Sequence, residues 1–205
     1  MSEFQFPSSI RSRPIYGKFE ARAGKDCLMI ADAEGAEAIL DMVQKSDDSQ
    51  EMMANTHIIY IPKHTEETYV EKLKALGARQ FYLGVSYEAS VPRLRHILTN
   101  AHMGLQVYLA GTEGVMGQAQ REAIEAGIPH VAIQMEHRGS VARRMQCVHC
   151  KGITEDVITD PFICSHCGLN LFVRDHYSRR LAAFQGVRVD AEDHGNVPAQ
   201  VELYK

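Results

Sequence analysis

The sequence predicts an α/β protein: a parallel sheet of about five strands with helices on both faces, followed by a small four-cysteine metal ribbon of the rubredoxin or zinc-ribbon kind. Three observations predict it. Short apolar runs alternate with stretches of helical periodicity between Asp26 and Ile133, and two CxxC pairs follow them. The composition is that of a globular chain, with 45% hydrophobic and 23% charged residues. A length of 205 residues suits one domain of average size plus a small module. The net charge of −4 argues against a general binder of nucleic acid or of anionic membranes. No run approaches the length of a membrane helix and no secretory signal is visible, so a cytoplasmic location is expected.

Residues 1–24, with Pro7 and Pro14, read as an irregular arm lying on the main domain. The α/β domain is expected over residues 25–136. Cys27-Leu28-Met29-Ile30 is its first buried strand, and Ala36, Ile39, Leu40 and Val43 recur at helical spacing behind it. Lys45 to Asn55 is polar and reads as a loop or frayed helix end. His57 to Ile61 is the second strand, stopped by Pro62. Thr65-Glu66-Glu67 opens a helix with Val70, Leu73 and Leu76 on one face and Gly77 as its stop. Phe81 to Val85 is the third strand. Leu94, Ile97 and Leu98 mark a helix after Pro92, and Leu105 to Ala110 is a strand running into Gly111. A helix from Val115 to Ala126 ends at Gly127 and Pro129, and Val131-Ala132-Ile133 closes the series.

After Met135 the character changes. Residues 137–146 are polar and basic and read as a linker. A metal module with a following helix is expected over 147–188, and an acidic tail, extended or mobile, over 189–205.

Cys147, Cys150, Cys164 and Cys167 form two CxxC pairs with thirteen residues between them. A tight turn of that spacing aims two thiolates at one point, and two such turns on a hairpin give tetrahedral four-sulfur coordination of one ion. Zinc and iron both accept this ligand set. His149 and His166 occupy equivalent places inside the turns and are expected beside the metal or exposed rather than bound to it. Cys27, in a buried strand, reads as a small inert hydrophobe.

In the segment after the quartet, Leu181, Phe184 and Val187 fall on one face of a helix, while Arg174, Arg179 and Arg180 gather positive charge beside Asp175. Two readings stand: a solvated helix packed on the ribbon, or a docking surface for a partner subunit or an anionic group such as a haem propionate. The contacts of the second would be Arg174, His176, Arg179, Arg180, Leu181 and Phe184. For His176 itself, a hydrogen-bonded structural role is the expectation.

Leu28 to Ala38 is similar to the first strand, turn and helix of the pyridine-nucleotide domain of ferredoxin reductases, and Val107 to Met116 resembles that domain's late strand and turn. The departures are chemical. Asp32, Glu34 and Glu37 stand where a glycine-rich turn would meet a pyrophosphate, and carboxylates repel it. Ala110 and Thr112 replace the cysteine and proline beside the nicotinamide. The resemblance therefore implies a retired reductase domain used as a scaffold, with no bound NAD(P).

Phe172 to Val187, together with the quartet, resembles the small DmmA-type subunit of bacterial dimethylamine monooxygenase. That resemblance implies an NADPH-dependent, multi-subunit enzyme that demethylates dimethylamine to methylamine and formaldehyde. Its partners for this chain would be a haem-bearing catalytic subunit and a flavin and iron-sulfur reductase subunit. This chain would be an accessory subunit binding one zinc or iron ion and neither flavin nor haem. A folate in the old crevice has no motif to support it, and no catalytic residue is assigned. The alternatives are a zinc-ribbon nucleic-acid- or protein-binding module, supported only by Arg143, Arg144, Arg179 and Arg180, and a free-standing NAD(P) oxidoreductase, opposed by the acidic turn.

Overall fold

A computed structural model describes residues 14–22, 26–63 and 67–205. Most of the expected arm, residues 1–13 and 23–24, and the expected helix start at Thr65-Glu66 lie outside the described residues. The chain forms two compact units, one spanning Tyr16–Ser140 and one built on Val141–Lys205.

In the first unit, β1 (Cys27–Asp32) is buried at every position, as a central strand with apolar side chains on both faces must be. It is followed by α1 (Gly35–Gln44), a short α2 (Ser49–Ala54) and β2 (Thr56–Ile61). Then come α3 (Glu67–Ala75), β3 (Gln80–Leu83), α4 (Tyr87–Thr99), β4 (Gln106–Gly111), α5 (Glu113–Glu125) and β5 (Ile133–His137). The strands pair in the order β3-β2-β1-β4-β5, all parallel. The expected parallel sheet with helices on both faces is what forms.

Alternate residues of the same strands build the two faces. Leu28, Ile30, Ile59 and Leu109 pack with Leu94, Leu98 and Met116 of α4 and α5. Met29, Ile58, Tyr60 and Tyr108 pack with Ile39 and Met42 of α1 and Leu73 of α3. Burying each such side chain contributes about 1.5–3 kcal/mol. Arm residues lie on this unit: the Gly17 amide donates to Met135 O at 3.0 Å, and Phe19 packs edge-on to Tyr108.

Several boundaries differ from the sequence reading. The polar stretch after Lys45 holds α2, because Met53 is buried there. Helix α4 begins before Pro92, not after it: Ser86 caps the Ala89 amide at 3.1 Å, and Tyr87 and Ser90 are buried. Residues 130–132 form a 3-10 turn, so the last strand starts only at Ile133 and runs on to His137.

In the second unit, β6 (Arg143–Cys147), β7 (Ile153–Val157), β8 (Thr159–Asp160), β9 (Phe162–Ile163), β10 (Asn170–Ser178), β11 (Ala183–Arg188) and β12 (Val201–Glu202) follow one another. Five of them make a sheet in the order β7-β6-β11-β10-β9, and β12 pairs with β8. The stretch expected as a linker therefore contains β6, which pairs parallel with β11.

The helix expected over Arg174–Val187 is a correction: the segment is the β10–β11 hairpin. The three-residue spacing of Leu181, Phe184 and Val187 suggested a helix. The competing period of two, with Leu171 buried and Phe172 exposed, is the one the fold uses. Gly186 belongs to that packing, since a Cβ there would stand 2.7 Å from the Phe162 ring. The acidic tail also returns to the fold: Leu203 and Tyr204 donate their amides to Ile158 O at 2.9 and 3.0 Å, and Val141 donates to Lys205 O.

Candidate metal centre

Each CxxC pair sits in a turn of the same construction. Cys147 N donates to Gly152 O at 2.9 Å and Lys151 N to Cys147 O at 2.9 Å. In the second turn Cys164 N donates to Leu169 O at 2.9 Å and Gly168 N to Cys164 O at 3.0 Å. The residue closing each turn has positive φ, +64° at Lys151 and +72° at Gly168. Lys151 therefore holds a backbone conformation that glycine adopts more readily, and a CxxC spacing does not announce it.

The turns bring all four sulfurs within 4.8 Å of one another. Cys147 Sγ lies 3.8 Å from Cys167 Sγ, and Cys150 Sγ 3.7 Å from Cys164 Sγ. A tetrahedron of thiolates about 2.3 Å from zinc has edges of about 3.8 Å. These separations are those of ligands around one ion. The four expected ligands are thus brought together, and the donor set fits either zinc or iron.

The electrostatics point the same way. Burial opposes the Cys164 thiolate, but the amides of Cys167 and His166 and the adjacent thiols outweigh it and lower the group to about 6. The Leu169 amide favours the Cys167 thiolate, yet burial and three neighbouring sulfurs push it up to about 12. Thiols this close share protons until a cation allows every one of them to ionise. The Gly152 amide, 3.4 Å from Cys150 Sγ, is placed to take up some of the sulfur charge.

Neither histidine belongs to the sulfur group. His166 bonds Ile153 O through Nε2 at 2.8 Å and lies against Gly152, where a Cβ would come within 2.5 Å of its ring; His149 is exposed. Cys27 is buried, and burial first of all pushes its thiol up, so it stays protonated and inert.

Of the expected partner contacts, Arg174, His176, Arg179 and Arg180 are exposed and Leu181 is half-buried. Phe184 is a correction. It is 1% exposed, inside the unit's own core beside Tyr177, and cannot anchor a partner. The basic cluster also divides, since Arg143 is buried against Asp175 and Arg144 pairs with Glu155.

In the first unit the crevice of such a sheet lies at the carboxyl ends of β1 and β4, where strand order reverses. Asp32 fills it. Its carboxylate is fully buried and accepts the Thr112 amide at 2.8 Å and the Thr112 hydroxyl at 2.6 Å, with Lys63 Nζ at 3.4 Å. Gly111 makes room for it, because a Cβ there would stand 1.9 Å from Asp32 Oδ1. Gly35 lets α1 close onto β4, where a Cβ would meet Ala110 O at 2.5 Å. Around the rim, Arg138 joins Glu37, Asp41 and Glu136, and Tyr69 donates to Glu37 at 2.6 Å. These residues do not fit a pyrophosphate: at the turn after β1 it would meet Glu34 and Glu37 at the start of α1, and the Thr112 amide at the start of α5 is already given to Asp32.

Residues 8–133 match the family model for the dimethylamine monooxygenase subunit DmmA-like N-terminal domain, and residues 144–187 the model for the C-terminal domain. The chain is 34% identical over 95 residues to the heme-dependent oxidative N-demethylase delta subunit of Ectopseudomonas mendocina (strain ymp). That match covers 46% of this chain and 54% of the relative, so the chain spans about half the length of the curated relative it matches. Among solved structures, the flavohem-like FAD/NAD binding domain of nitric oxide dioxygenase from Vibrio cholerae O1 biovar El Tor is similar at 14% identity and a TM-score of 0.43. The match covers 62% of this chain and 56% of that one. The ferredoxin reductase of carbazole 1,9a-dioxygenase is similar at 15% identity and a TM-score of 0.41, covering 58% and 34% of the two chains.

Proposed function

Because this chain belongs to the DmmA-like family of dimethylamine monooxygenase subunits, we propose that it is the accessory, non-catalytic subunit of an NADPH-dependent complex that oxidatively demethylates dimethylamine to methylamine and formaldehyde. Its partners in this reading are a haem-bearing catalytic subunit and a flavin and iron-sulfur reductase subunit of the same complex. The delta-subunit relative supports a place in a multi-subunit N-demethylase. No helix among the described residues is long and apolar enough to cross a membrane, and the reading needs none.

One observation carries the assignment of role. The chain joins a four-sulfur centre, its atoms within 4.8 Å, to an α/β unit whose ligand crevice is filled by Asp32. Such a build supports a metal module joined to an α/β scaffold. A bound zinc would supply structural stiffness, and a bound iron a one-electron redox centre. Cys147 and Cys164 are buried and Cys150 and Cys167 half-buried, so the ion would tie the end of β6 to the turn after β9. We assign zinc and a scaffolding role.

The test is to purify the complex through a tag on a partner subunit, then measure its metals and absorption spectrum. One zinc per copy of this chain is expected beyond the partners' metals, with no tetrathiolate iron spectrum. Cys164→Ser should lower that zinc and release the chain. A red, reducible centre in the isolated chain would instead give it electron relay. A metal-free chain that remains bound would end the reading of the module.

A further inference from the structure

The arginines of this chain are mostly occupied. Arg95 holds Glu122, Arg138 holds Glu136, Arg143 holds Asp175, Arg144 holds Glu155 and Arg188 holds Asp190. Three arginines of β10 and the turn after it are exceptions. Arg174, Arg179 and Arg180 are exposed, and none has a carboxylate at ion-pair distance among the described residues. Three guanidinium groups without internal partners, on one hairpin of a chain with a net charge of −4, are a local basic surface in an acidic protein.

That surface has an apolar end. Phe172 precedes Arg174 by two positions on β10 and so shares its face; it is 38% exposed. Ile163, opposite Asn170 in the β9–β10 register, lies on the same face and is 56% exposed. His176 continues the exposed row toward the arginines of the turn. An exposed aromatic and an aliphatic side chain continued by a row of basic groups offer both an apolar anchor and charged contacts, the residue types that interfaces favour.

We propose that this outer face of the hairpin, with Ile163 and Phe172 at one end, Arg174 and His176 following along β10, and Arg179 and Arg180 at the turn, docks onto an acidic surface of a partner subunit. The proposal rests on the accessory-subunit reading and names the surface that reading requires. The occupant is protein carrying carboxylates, because guanidinium groups pair carboxylates in two-point geometry and the face offers apolar side chains for packing. A nucleic acid would want a basic stripe with several exposed aromatics, and this face has one.

The test uses the full-length chain and the remaining subunits of the N-demethylase complex, expressed without it, with binding measured across a range of salt. Wild type should bind, and more weakly as salt rises. The triple variant Arg174→Glu, Arg179→Glu, Arg180→Glu should bind about tenfold or more weakly with a flattened salt dependence. Phe172→Ser should weaken binding without changing the salt slope. Metal content and circular dichroism should match wild type in both variants, and the exposed pair Lys72→Glu, Lys74→Glu should bind like wild type. If wild type fails to bind the other subunits, the accessory-subunit reading falls. If wild type binds and the triple variant binds equally well, that reading stands and this surface is wrong. Tight binding of single-stranded nucleic acid by wild type, lost in the triple variant, would also overturn it.

Discussion

Tyr204 and Arg143 are expected to hold the end of the chain to the metal module. The Arg143 side chain is 5% exposed, with its guanidinium 4.4 Å from the Phe184 ring centre and 4.2 Å from that of Tyr204. Its Nη1 lies 2.6 Å from Asp175 Oδ1. A cation over a ring contributes about 1 kcal/mol when partly desolvated, so Tyr204→Ala should cost about 1–2 kcal/mol with the lost packing. Arg143→Ala removes both stacks and strips Asp175 of its buried partner, which raises the cost to about 3–4 kcal/mol. Arg143→Lys should recover the charge but not the planar contact. A double-mutant cycle between the two residues should give a coupling of about 1 kcal/mol. The assay is hydrogen exchange at the β11 amides of the metal-loaded chain, supported by near-ultraviolet circular dichroism of the tyrosines, since the chain has no tryptophan. If removing residues 201–205 leaves exchange at Phe184 and Gln185 unchanged, the clamp does not stabilise the module.

Two further predictions concern buried carboxylates of opposite sign. Burial raises the Asp32 carboxyl despite Thr112 and Lys63, so the stability linked to it is fully present below its unfolded range and falls as pH rises through its folded value. Asp32→Asn should abolish that slope in a urea melt, and Asp32→Ala should cost about 2–3 kcal/mol by stranding the Thr112 donors. At Glu136 burial also raises the carboxyl, but Lys18, the Phe19 amide and Arg138 outweigh it and hold the group low. Its contribution is present above the ordinary carboxylate range and lost as pH falls through the folded value. Glu136→Gln should flatten that acid limb and loosen the arm, read as faster exchange at Phe19.

The first unit was legible because its elements are long and periodic. Leu28 to Ile30 and Ile58 to Ile61 are apolar without interruption, which only a strand covered on both faces tolerates. The second unit was misread where two periods compete. From Leu181 to Val187 an apolar residue recurs every third position, and no local signal outweighs it. What decides is tertiary. Phe184 belongs opposite Met145 and Tyr177, and both partners lie outside that short window. The tail was misread for a similar reason: its acidic residues suggest solvent, whereas its last residues are fixed by backbone bonds to Ile158 and by a ring on Arg143.

The two candidate sites differ in legibility because one is local and the other is not. A CxxC turn is closed by its own backbone, so four cysteines in two pairs announce a tetrahedron before any fold is known. At the crevice, the acidic residues of the turn after β1 are legible in the sequence, but the partners of Asp32 are not. Asp32 turns inward to Thr112, 80 residues away, and accepts the amide at the start of α5. Gly111 survives because its side-chain position is filled by that carboxylate, at a φ of +115°.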